Sequence, residues 1–138
     1  MSVTTLTHLL YHESGLLGIS GIDSDMQQLL NNHSPQAIEA IELFVYRLNR
    51  EIGALVAILG GLDTLIFTAG IGEHATVIRM KVCQMMSWLG VELDEVANRE
   101  NKTCISATAS QISVWVIPTD EEKMIAQHTR RLVTSMQC

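Results

Sequence analysis

Leu62 to Val82 reads LDTLIFTAGIGEHATVIRMKV, and this stretch decides the fold. Leu62 to Thr68 is apolar and β-branched, which predicts a strand. Ala75 to Leu89 carries Ile78, Val82, Met85 or Met86, and Leu89 at helical spacing, and Gly90 ends it. Between them lies a turn with two glycines. A strand, a glycine turn and a helix place an anion on the helix N-terminus, where free amides and the helix dipole favour it. Gly70 and Gly72 are expected to take positive φ and admit a ligand to the backbone. No lysine follows, so the phosphate loop G-x-x-x-x-G-K-[ST] is excluded. Gly70, Gly72 and Ala75 do match G-x-G-x-x-A, with Glu92 downstream as an acidic partner. Three readings stay open at this point: a nucleotide phosphate, a dinucleotide such as NAD, or a turn whose glycines serve packing alone.

Toward the amino terminus, Val3 to Tyr11 predicts a short helix. His12 to Met26 predicts a loop punctuated by Gly15, Gly18 and Gly21 and anchored by Leu16, Leu17 and Ile19. Ser24 is placed to cap a short helix ending near Leu30, with Gln27 completing a capping box. Ser34 followed by Pro35 opens a longer helix. Ile38, Ile41, Val45, Leu48, Ile52, Leu55 and Leu59 recur along it, and Gly60-Gly61 stops it. At ~1.5 Å per residue it spans roughly 37 Å. Leu43, Phe44, Val56 and Ile58 widen the stripe beyond a coiled-coil seam, so this is a core helix with part of its surface at a subunit interface.

Toward the carboxyl terminus, Cys104 to Ala107 suggests a short strand and Gln111 to Pro118 a clear one. Thr119 to about Val133 predicts a final helix. Strand, helix, strand, helix gives an α/β class with parallel strand pairing and a crossover. In IPTDEE, Thr119 and Glu122 have capping-box spacing. The acids also lie at the carboxyl end of a parallel strand, where α/β ligands bind. Beside a phosphate they would need a bridging Mg²⁺, and with Glu122 capping, Glu121 is the metal candidate.

The chain has 138 residues, 47% hydrophobic and 17% charged, enough for one domain. A net charge of −6 argues against nucleic acid as a partner. No apolar run reaches membrane-spanning length. Cys83, Cys104 and Cys138, odd in number and without C-x-x-C, read as reduced thiols of a cytoplasmic protein. His8, His12 and Glu13 do not form H-E-x-x-H, and Ser14 lacks the G-x-S-x-G elbow. His33, His74 and His128 suggest no constellation.

LLYHESGLLGISG, SDM, AIELFVYR, GGLDTLIFTAGIGEH, WLGVELD and IPTDEE occur here in one order, nearly end to end. In this the chain resembles the acetate kinase family, with propionate and butyrate kinases as close relatives. The resemblance implies phosphoryl transfer between ATP and a short-chain carboxylate, giving ADP and acetyl phosphate with Mg²⁺. It implies a partial ribonuclease-H-like domain of the actin and sugar-kinase type, built around the long core helix. It places Gly70, Ile71, Gly72, Glu73 and His74 at the nucleotide phosphates, and Asp25, Met26 and Gln27 at the base. Glu121 becomes the metal-associated acid, and a homodimer is implied. Gln27 stands where relatives usually carry arginine, and His74 where asparagine is also common. The likeness covers only the carboxyl-terminal third of such kinases. Residues 1–138 are thus expected to form the single C-terminal nucleotide-binding domain, with the amino-terminal domain absent and with it the carboxylate pocket and the catalytic groups. The chain alone is expected to be inactive. The alternatives are a non-catalytic nucleotide-binding or dimerisation module and, more distantly, a Rossmann-type dinucleotide-binding fragment.

Overall fold

The structure is a computed structural model and describes residues 1–135; the Cys138 thiol lies outside them. In chain order the elements are α1 (Val3–His12), α2 (Gly15–Ser20), α3 (Met26–Leu30), α4 (Pro35–Leu59), β1 (Thr64–Phe67), α5 (Ala69–His74), α6 (Thr76–Met85), a 3₁₀ turn (Ser87–Leu89), α7 (Glu95–Arg99), β2 (Ser113–Val116) and α8 (Glu121–Ser135). The two strands pair in parallel, with Leu65 beside Val114 and Phe67 beside Val116. The expected α/β arrangement with a parallel pair and a long helix is therefore present. Cys104 to Ala107 is no strand but contributes single bridges, Cys104 to Trp115 and Ser106 to Leu93.

Helix α4 forms where local signals placed it. The Ser34 hydroxyl accepts from the Ala37 amide, Pro35 starts the helix, and Gly60 closes it at φ 76° by donating to the Val56 carbonyl. Its buried face differs from the expected stripe. Ala37, Ala40, Ile41, Val45 and Val56 are buried, whereas Ile38, Leu55 and Leu59 are exposed. A strict seven-residue repeat drifts by ~20° per heptad around a straight helix. Over the length of α4 the drift carries the ends of the stripe away from the core. Helices α2, α3 and α6 pack on this face.

The loop expected over His12 to Met26 contains α2. Gly21 ends that helix at φ 63°, so one of the three glycines is a helix stop rather than a loop hinge. Ser24 is not the cap of α3. Asp25 is, its Oδ1 accepting from the Gln27 amide at 2.9 Å. The helix expected over Ala75 to Leu89 begins at Thr76 and breaks at Met86 before the 3₁₀ turn. Met86 is buried there and Met85 is exposed. The core comprises Leu29, Ile78, Val82, Cys83, Ile105 and Val114 with the buried face of α4. Among the described residues no helix is long and apolar enough to cross a membrane.

Candidate functional site

The glycine segment is itself a short helix. Gly70 and Gly72 lie inside α5, and the positive φ expected of them falls instead on Ala69, at 58°. The two glycines face different surroundings. A Cβ at Gly70 would meet nothing within 4 Å, whereas one at Gly72 would stand 3.2 Å from the Phe67 carbonyl carbon. Gly72 thus lets α5 pack closely on β1, and Gly70 keeps an open surface.

That surface lines a cleft of about 270 Å³. Gly70, Ile71, His74 and Ala75 form one wall, and Asp25, Met26, Gln27 and Leu30 form the other. Two segments far apart in sequence are thereby brought together. Of the expected site residues, Asp25, Met26, Gln27, Gly70, Ile71 and His74 line the cleft. Gly72 and Glu73 do not, and Leu30 and Ala75 join it. The Asp25 carboxylate caps α3, and the Asp23 carboxylate accepts from the Asp25 amide at 2.8 Å. Met26 is buried, while Gln27 and His74 are exposed.

Glu73 turns away toward the end of β2. Its Oε1 accepts from the Thr119 amide at 3.0 Å and from the Thr119 hydroxyl at 3.2 Å. These bonds, the amide first, hold its carboxyl below the ordinary glutamate value, with a further contribution from the Ala69 amide. Thr119 is therefore committed to α5 and does not cap α8, so the expected Thr119–Glu122 capping box is absent. Asp120 caps instead, its Oδ1 accepting from the Lys123 amide at 2.9 Å. Glu121 and Glu122 stand in the first turn of α8, exposed.

Glu121 does not line the cleft; Thr119 and Glu73 connect its helix to it. Among the described residues no group of three or more His, Cys, Asp or Glu side chains is arranged to hold a metal. A hard cation that takes one or two carboxylates and fills its shell with water and phosphate oxygens needs no such cage. The free carboxylate of Glu121 suits that chemistry.

One residue of the site gave no signal in the sequence. Arg79 is fully buried. Its Nη1 donates to the carbonyls of Gly72 and Glu73, both at 2.8 Å, at the C-terminus of α5. Its Nε donates to Asn98 Oδ1, and its Nη2 to the Asn98 carbonyl and to Asn101 Oδ1. All five N–H groups of the guanidinium are satisfied, and no carboxylate is among the acceptors. Burial lowers its pKa, yet arginine stays charged at neutral pH.

The dinucleotide reading loses its geometry here. The two glycines sit within a helix rather than in a tight turn, and Glu92 lies in a loop rather than at a strand end.

The model of the acetokinase family matches residues 1–127. The chain is similar to the acetate kinase of Rhodopseudomonas palustris (strain TIE-1), 57% identical over 134 residues, which is 96% of this chain and 34% of that protein. Among solved structures, the acetate kinase of Porphyromonas gingivalis superposes with a TM-score of 0.85 at 34% identity, covering 96% of this chain and 35% of the other. A propionate kinase of Francisella tularensis superposes at 0.83 with 37% identity, over 92% of this chain and 33% of that one. The described residues are thus part of a sugar-kinase-like α/β fold, spanning about a third of the length of these relatives. With the family model and close relatives covering nearly all of its length, the chain belongs to the acetokinase family.

Proposed function

We propose that this chain forms the nucleotide-binding part of an acetate kinase, taking ATP or ADP with Mg²⁺. The observation that carries the reading is the cleft, where the segment around Met26 faces the segment around Gly70. A mononucleotide fits this arrangement with its base against Asp25, Met26 and Gln27. Its phosphates then reach Gly70, Ile71 and His74, where an uncrowded backbone allows close approach. Gly72 and Glu73 act behind this surface, one through packing on β1 and the other through Thr119. Glu121 would hold Mg²⁺, which when bound neutralises phosphate charge. Gln27 offers an amide where arginine is usual and gives the base a hydrogen bond without a cation.

Phosphoryl transfer is catalysed by positioning and by charge placed on the moving phosphoryl group. In this chain Arg79 has every donor committed. Arg47, Arg50, Arg99, Arg130 and Arg131 are exposed on helices, away from the cleft lining. The proposal therefore includes that the 138 residues bind nucleotide but do not turn over acetate and ATP alone. The carboxylate site and the catalytic charges would come from the part of the family that this chain does not match. The exposed Leu55, Ile58 and Leu59 at the end of α4 offer a surface for a second copy.

Calorimetric titration with MgADP and with NAD tests the reading. MgADP is expected to bind weakly and NAD not at all. Preferential binding of NAD, or acetyl phosphate formation by the chain alone at an ordinary kinase rate, would overturn it.

A further inference from the structure

We infer that Arg79 is a positioning residue for the nucleotide cleft, holding α5 in place from an anchor on Asn98 and Asn101. The inference rests on the nucleotide reading given above. Helix α5 has six residues, too few to be stable through its own hydrogen bonds. Its last carbonyls lack helical N–H donors and need donors from elsewhere. Arg79 supplies two of them, at Gly72 and Glu73, and a cation is favoured at that end of a helix. The other three N–H groups reach across to residues 98 and 101, beyond the whole of α6.

The anchor is itself fixed. Asn98 is buried and its Nδ2 donates to the Thr76 carbonyl at 3.0 Å. It therefore ties the start of α6 and the end of α5 to one point. Asn101 takes φ 52°, a left-handed conformation that asparagine tolerates better than most residues. That conformation accompanies the close contact of its Oδ1 with Arg79 Nη2, 2.6 Å. Gly70, Ile71 and His74 of the same short helix line the cleft. Movement of the segment Glu95 to Asn101 is thus transmitted to the end of α5 through the Arg79 guanidinium, alongside the Asn98 bond to Thr76.

Arg79 touches no ligand surface, since all of its donors are engaged by protein. Its effect on binding must pass through α5. A loosened α5 would cost the phosphate half of a nucleotide more than the nucleoside half, which rests partly on α3.

Two variants test this. Asn101→Gly removes the Oδ1 acceptor and keeps the left-handed backbone. Arg79→Lys keeps the charge but lacks the fork that reaches five acceptors. Hydrogen exchange at residues 69–74 is expected to accelerate several-fold in both, with α4 unchanged. MgADP affinity is expected to fall about three- to tenfold, with adenosine affinity falling less. Unchanged exchange at 69–74 overturns the inference, as does a uniform rise across the chain. Equal losses for MgADP and adenosine also overturn it. If the unmodified protein takes up no MgADP, the nucleotide reading fails first and the positioning role falls with it. MgADP binding that is insensitive to both variants sinks the positioning role alone.

Discussion

Glu73 and Thr119 are joined twice: one carboxylate oxygen accepts both the amide and the hydroxyl of the threonine, at 3.0 and 3.2 Å. The pair fastens α5 to the segment that leads into α8. It also explains why Thr119 leaves the capping of α8 to Asp120.

This contact should be sensitive to acid. The Glu73 carboxyl is depressed in the folded chain, chiefly by the Thr119 amide. A depressed carboxyl contributes stability above its unfolded value of ~4.3 and loses it as pH falls through the lower folded value. Melting temperatures measured from pH 7 to pH 3 should converge for the wild type and Glu73→Gln at the acid end, with the wild type higher at neutral pH. A constant gap at all pH values would contradict this assignment.

The two glycines of α5 should respond in opposite ways to the same change. Gly72→Ala places a methyl against the Phe67 backbone and should cost ~1–3 kcal/mol. Gly70→Ala meets open space within a helix and should be neutral or stabilise by ~0.5–1 kcal/mol. Yet Gly70→Ala should weaken MgADP, because it adds a methyl to the cleft wall. Denaturant unfolding and calorimetry on both variants separate packing from ligand approach.

At the start of α8 the roles of the acids can be divided by substitution. Asp120→Ala should lower the stability of that helix by ~0.5–2 kcal/mol through the lost cap. Glu122→Ala should change it little. Glu121→Gln should leave melting unaltered while reducing the Mg²⁺ dependence of nucleotide binding. If Glu122→Ala destabilises more than Asp120→Ala, the capping geometry is wrong.

The cysteines should separate under alkylation. Burial pushes the Cys83 thiol up to about 12, and the side chain is inaccessible. Cys104 is exposed. Iodoacetamide at pH 8 should modify Cys104 in the native protein and reach Cys83 only after denaturation, as mass spectrometry of the digested peptides would show. Above pH ~9 the unfolded thiol ionises while the folded one does not, so Cys83 withdraws stability as pH rises toward its folded value.

What the sequence disclosed divides along a physical line. Ser34, Pro35 and Gly60 act on their own neighbours, so the ends of α4 were legible. The facing of Asp25–Gln27 and Gly70–His74 was not legible from spacing; it entered through the likeness of whole blocks to a kinase family. Asp25 took the cap that Ser24 could also have filled, since both side chains can accept from the first-turn amides. Thr119 could cap a helix or bind a carboxylate, and the choice depended on Glu73, far away in the chain. Arg79 gave no sign at all. An arginine in a helix is read as solvated by default, and its acceptors are backbone carbonyls and two asparagines with no pattern of their own.

Ala69 carries a further consequence. It occupies the left-handed region at φ 58°, which costs an L-residue with a Cβ ~1–2 kcal/mol. The glycines that would bear this conformation freely stand one and three positions later. Alanine and glycine codons differ by a single base, so Ala69→Gly is within reach of one point mutation. A selection for heat resistance should sample it early. The same change would loosen the peptide that joins β1 to α5, so variants recovered for endurance at this position should be the ones in which the cleft is least ordered.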